Sequence, residues 1–189
     1  VVIGDSGKIT AASSNGPQLS GVPMTLGLIE TLTDEDGGND TITTVLGTDI
    51  ILGGHGSDAI TANLGETSSV LDRGNMILGD SGWIDYTRSD REEVPGADTD
   101  PSDIDLVKSV STGSGGVDFI TTGSGSDLII GGSFGDTIEA GAGNNLVIGD
   151  SGKITAASTD GPQLSGILMT LGRIETLADD DGGDDTITT

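Results

Sequence analysis

Two sets of residues in this 189-residue chain combine side-chain type and spacing in a way that could do chemistry. The first is Gly4-Asp5-Ser6-Gly7, which returns as Gly79-Asp80-Ser81-Gly82 and as Gly149-Asp150-Ser151-Gly152. In many serine hydrolases this tetrapeptide surrounds the nucleophile, and such a serine needs a base beside it. The chain has one histidine, His55, and three equivalent serines cannot share one imidazole. No catalytic residue is assigned, and an enzyme is not expected. The second set is a series of carboxylates and one amide spaced by nine. Asp40, Asp49 and Asp58 form one run, Asp118, Asp127, Asp136 and Asn145 another, and Asp185 restarts the series. Each is followed two residues later by an aliphatic residue, such as Ile42, Ile51, Ile120 or Val147. A hard oxygen at the same point of every turn suits calcium, which takes roughly six to eight carboxylate and carbonyl oxygens.

The elements that would position these residues are short. Aromatic residues make up 2% of the chain and glycines number 33, so a core built on Phe, Tyr and Trp is excluded. Small aliphatics must serve instead, in bursts such as Ile50 to Leu52, Met76 to Leu78 and Leu128 to Ile130. Each burst is too short for a buried helix and the right length for a strand. With 7 basic and 31 acidic residues the net charge is −24, which repels nucleic acid and anionic membranes. That surplus fits either a solubilising acidic surface or cation binding, and the position of the acids decides between them. There is no cysteine, hence no disulfide framework or thiolate metal site. No apolar run reaches the roughly 20 residues of a spanning helix, so membrane insertion is not expected. No signal peptide opens the chain.

Repetition organises the rest. Residues 1–44 and 146–189 align at a shift of 145 with 35 of 44 positions identical. Within that period the Gly-Asp-Ser-Gly motif recurs after 75 and then 70 residues, and Leu28 to Leu32 has a counterpart in Leu106 to Val110. The organisation read from this is a first variant over 1–79, a second over 80–149, and a partial copy of the first over 150–189 that repeats 5–44. The first holds an insertion at 8–35 and nine-residue turns at 36–79; the second holds an insertion at 83–112 and turns at 113–149. Such periods point to stacked units that share one narrow core.

Gly53-Gly54-His55-Gly56-Ser57-Asp58-Ala59-Ile60-Thr61 fits G-G-x-G-x-D-x-U-x at every specified position. Thr122 to Asp127 lacks the first glycine and Gly131 to Asp136 has its last glycine displaced. Here the sequence resembles the RTX, or haemolysin-type calcium-binding, repeat family of secreted bacterial proteins. The resemblance implies calcium as the bound ion and an all-β fold, a parallel β-roll or β-solenoid with interspersed β-rich insertions. It implies that residues 18 apart stack on one edge, pairing Asp40 with Asp58, Asp118 with Asp136 and Asp127 with Asn145, and leaving Asp49 opposite Thr67. An isolated Asp could serve only an Asx-turn. A phased file of carboxylates costs like-charge repulsion unless a cation intervenes.

In this phase Asp150 falls on a glycine position and the next aspartate position is Ile154, so the motif marks an exit from the nine-residue run. Asp5, Asp80 and Asp150 then either bond the turn backbone or supply a last calcium ligand. After the exits, Lys8 to Ser13 and Met24 to Leu32 read as strands around a Gly16-Pro17 turn, and 88–103 as a solvated acidic loop. Trp83 and Tyr86 read as packing, with a glycan or partner contact as the alternative. The leading functional expectation is a calcium-stabilised structural repeat of an extracellular or cell-surface filament or giant repetitive protein, stacking on adjacent repeats. The alternatives are an adhesin-type module with a glycan or surface ligand, and the secretion appendage of an enzyme.

Overall fold

The computed structural model describes residues 1–12, 24–33, 36–66, 73–87, 101–157, 164, 166–177, 180 and 182–189. The fold is all-β, with no helix among these residues. The aliphatic bursts form a central sheet of five parallel strands: β1 (Val2–Ile3), β5 (Ile50–Gly54), β7 (Met76–Asp80), β11 (Leu128–Gly132) and β13 (Leu146–Asp150), in that spatial order. The segments that begin one residue before each inward Ile form a second parallel sheet. Its members are β4 (Thr41–Val45), β6 (Ala59–Leu64), β10 (Phe119–Thr121), β12 (Thr137–Glu139) and β16 (Thr186–Thr188).

The third sheet is antiparallel and is made wholly by the segments outside the nine-residue pattern. Three pairs of strands lie side by side: β2 (Gly7–Ala11) with β3 (Leu26–Thr31), β8 (Gly82–Asp85) with β9 (Leu106–Ser109), and β14 (Gly152–Ala156) with β15 (Leu171–Thr176). A parallel β-roll or solenoid therefore does not describe the whole chain. Ten strands run in parallel sheets, six in an antiparallel one, and the insertions join one another. The Gly16-Pro17 turn, Thr67 and the acidic stretch 88–100 lie outside the described residues.

Burial explains the strand composition. Ile51, Ile77 and Ile129 of the central sheet pack with Ile42, Ile60, Ile120 and Ile138 of the second sheet. Their neighbours Ile50, Leu52, Met76, Leu78, Leu128 and Ile130 pack with Ile29, Ile84, Val107 and Ile154 of the antiparallel sheet. The central strands are covered on both faces and so read as unbroken apolar runs. The second sheet alternates, as in Thr-Ile-Thr and Thr-Ile-Glu, because only one face is covered. Tyr86 is buried in the same core as Ile50, Met76 and Ile104, whereas Trp83 is half-buried with Lys108 Nζ 5.6 Å from its ring centre.

The repeat period has a simple meaning in these layers. A shift of 145 residues carries β1 to β13, β2 to β14 and β4 to β16, an advance of four strands in each sheet. The shift between successive Gly-Asp-Ser-Gly motifs carries β1 to β7 and β2 to β8, an advance of two strands in each. All three layers thus climb in step, about 19 Å per period at the usual strand spacing of about 4.8 Å.

Candidate metal centre

The chain passes from the central sheet to the second sheet through glycine-rich turns, and the aspartates that precede the second-sheet strands line that edge. They form one ladder. Asp40 N–H donates to Asp58 Oδ1, Asp58 N–H to Asp118 Oδ1, Asp118 N–H to Asp136 Oδ1 and Asp136 N–H to Asp185 Oδ1, each at 2.8 Å. The 18-residue stacks Asp40–Asp58 and Asp118–Asp136 are there, and the ladder also crosses both insertions, over 60 residues at Asp58–Asp118 and 49 at Asp136–Asp185.

In these rungs one carboxylate oxygen accepts a backbone N–H and the other does not. Oδ2 of Asp40, Asp58, Asp118 and Asp136 is buried and has no hydrogen-bond partner. Burial raises the carboxyl of Asp58 to about 6, of Asp136 to about 7 and of Asp118 to about 9, against an ordinary value of 3.8. The backbone N–H each accepts pulls down and the neighbouring carboxylates push up further. Asp185, less buried, is raised for the same reasons.

Each orphaned oxygen points at a glycine of the central sheet. The positions where a Cβ would stand on Gly4, Gly53, Gly79 and Gly131 lie within 2.5 Å of Oδ2 of Asp40, Asp58, Asp118 and Asp136 respectively. The same four positions lie within 2.5 Å of the carbonyl oxygens of Gly53, Gly79, Gly131 and Gly149. Gly149 faces Asp185 Oδ2 in the same manner. A side chain at any of these glycines would fill a cradle already lined by a carboxylate and a carbonyl oxygen. An oxygen-only donor set is what calcium takes. The residues fit calcium. Among the described residues no three acidic or imidazole side chains converge; each rung instead offers one carboxylate with main-chain carbonyls.

The opposite edge alternates Asp with Asn, and Oδ2 of Asp49 is buried without a hydrogen-bond partner there too. Asp49 N–H donates to Asn75 Oδ1 at 3.0 Å, Asn75 N–H to Asp127 Oδ1 at 2.7 Å, and Asp127 N–H to Asn145 Oδ1 at 3.0 Å. Asp127 and Asn145 stack as expected. Asp49 stacks on Asn75, and the Thr67 expected opposite it lies outside the described residues. Where the rung is Asn, its amide donates to a carbonyl: Asn75 Nδ2 to Ala62 O at 3.3 Å and Asn145 Nδ2 to Ala140 O at 2.9 Å. Asn75 was not among the predicted site residues. Its signal was present, since Asn75 to Asp80 repeats the spacing of Asn145 to Asp150 up to the Gly-Asp-Ser-Gly motif.

The motif itself is where the chain leaves the central sheet for the antiparallel one, at β1–β2, β7–β8 and β13–β14. Its aspartate fills the glycine turns of neighbouring rungs. Asp5 accepts from His55 N at 2.6 Å and Gly38 N at 3.2 Å, Asp80 from Gly116 N at 3.0 Å and from Ser133 N, and Asp150 from Gly183 N at 3.2 Å. These are the bonds of the turn-backbone role, one of the two open to these residues. Asp80 is raised to about 8 by burial, with Asp136 and Asp58 adding to it against those two N–H donors. Ser81 and Ser151 are buried, and Ser6 Oγ donates to Asp36 at 3.1 Å.

No curated protein and no solved structure matches the chain. A family profile described as the RTX calcium-binding nonapeptide repeat, in four copies, matches residues 36–67, 112–133 and 130–153. Those segments carry Asp40, Asp58, Asp118 and Asp136 and the cradle glycines Gly53, Gly131 and Gly149. These three segments, well under half of the chain, are therefore RTX calcium-binding nonapeptide repeats, whose ion is calcium.

Proposed function

We propose that the chain is a calcium-stabilised structural repeat of an extracellular or cell-surface filament or giant repetitive protein of the kind bacteria secrete, its two parallel sheets acting as the coil of a β-roll. The observation that carries this reading is the equal advance of four strands per 145 residues in all three sheets. A period that moves every layer by the same amount propagates without accumulating mismatch, so successive periods stack into one rod. The partner is then the adjacent repeat, and neither nucleic acid nor an inserted membrane segment is involved. The role is non-catalytic: two of the three motif serines are buried, and each motif aspartate is held by backbone donors. Burial of Tyr86 removes half of the exposed aromatic pair on which an adhesin reading would rest.

Negative-stain microscopy of the protein, with calcium and with a chelator, tests the proposal. Straight rods with an axial repeat near 19 Å in calcium that slacken on chelation are expected. A compact particle in both conditions would overturn it.

A further inference from the structure

We infer that Gly79, in an exit motif outside the nonapeptide matches, belongs to two divalent-cation sites at the seam between the two variants, so that the file of ions runs through the insertions. The inference rests on the calcium reading above and extends it to a residue that lies in neither matched block. Two cradles use Gly79. Its own Cβ position is lined by Asp118 Oδ2 and Gly131 O, and its carbonyl oxygen lines the position at Gly53 together with Asp58 Oδ2. Asp118 and Asp58 are 1% and 2% exposed, and neither Oδ2 has a hydrogen-bond partner. These are buried carboxyl oxygens, each within 2.5 Å of a position that a carbonyl oxygen approaches as closely. With no nitrogen or sulfur donor in the set, the ligand class is a hard divalent cation of calcium's size.

The seam differs from a site within one block because of what it joins. Asp58 and Gly53 come from the first matched block, Asp118 and Gly131 from the second, and Gly79 comes from the strand β7 that lies between β5 and β11. Along the chain the blocks are connected only through β7 and an insertion. An ion at the seam ties them directly. On the other edge at the same level the seam is closed by Asn75, whose amide bonds Ala62 O and whose Oδ1 takes the N–H of Asp49. Filling one block therefore aligns the ligands of the next, and binding along the file is cooperative.

The test is calcium titration calorimetry on the whole 189-residue chain, comparing wild type with G79A and G113A. Gly113 is exposed with nothing within 4 Å of an added Cβ, so G113A controls for loss of a glycine. G113A is expected to match wild type. G79A is expected to bind at least one ion fewer, with the single cooperative isotherm split into two phases. Equal ion counts and superimposable isotherms for G79A and wild type overturn the inference while leaving the calcium reading intact; absence of binding by wild type overturns that reading itself. Since a Cβ on Gly79 also approaches the Gly131 carbonyl, a G79A chain that does not fold is replaced by crystallography of wild type with terbium for calcium. Anomalous density between Gly79, Asp118 and Gly131 is expected. Its absence while the Gly131, Asp136 and Gly149 cradle is filled overturns the inference.

Discussion

At the scale of single residues, each ladder aspartate does two jobs with two oxygens, and asparagine can do only the first. The Asn rungs keep the acceptor for the backbone N–H and put a donor where the second oxygen would be. N145D is therefore expected to lose the bond to Ala140 O and add a carboxylate beside Asp127. The calcium-free protein should lose about 1–3 kcal/mol, read by urea denaturation, because a buried carbonyl is left unpaired. Calcium should recover part of that loss. Protons act on the same oxygens. Asp58, Asp136, Asp80 and Asp118 sit at about 6, 7, 8 and 9, above the 3.8 they have when unfolded. Between those values the folded state holds protons that the unfolded chain has released, so stability falls as pH rises through that range. Without calcium, the melting temperature is expected to drop steadily from about pH 5 to about pH 9, and saturating calcium should flatten the slope. A calcium-free melting temperature that climbed over this range would contradict the assignment. The aspartate rungs were legible from their nine-residue phase alone. Asn75 was not, because it stands 26 residues from Asp49 where the phase asks for 18.

At the scale of elements, the central strands are the most constrained because each is packed on both faces. Ile129 is fully buried between β7 and β13 against the second sheet, while Ile9 lies on the edge strand β2 at 39% exposure. I129A is expected to cost about 2–5 kcal/mol and I9A less than about 1 kcal/mol, measured by denaturant unfolding in calcium. The strands themselves could be read from the sequence, since runs such as Ile50 to Leu52 are short, apolar and bounded by glycine. The joining of the insertions could not. An alternating strand announces that one face is covered but not what covers it, and three separate hairpins give no sign of pairing edge to edge.

At the scale of the whole molecule, the −24 charge and the buried carboxylates make the ion part of the structure. Chelation is expected to loosen the fold, with loss of β signal in circular dichroism that millimolar calcium restores; an unchanged spectrum would count heavily against calcium as a structural ion. Sodium chloride at about 1 M in the absence of calcium should restore only part of the signal. Mobile salt screens exposed acids over a Debye length of about 3 Å at that strength, but it does not reach the enclosed Oδ2 atoms.

What the sequence determined by itself was local and periodic: strands from short apolar bursts, turns from glycine, calcium chemistry from aspartates in phase, and a 145-residue unit from self-similarity. These follow from spacing along one chain, which needs no partner to be visible. The tertiary structure alone decided that the ladder continues across the insertions, that the two edges differ in their asparagine rungs, and that the insertions form a third layer. The reason is distance: Asp58 meets Asp118 and Asp136 meets Asp185 across insertions whose strands β8, β9, β14 and β15 join the antiparallel sheet packed against the central one. No pattern confined to neighbouring residues can record that.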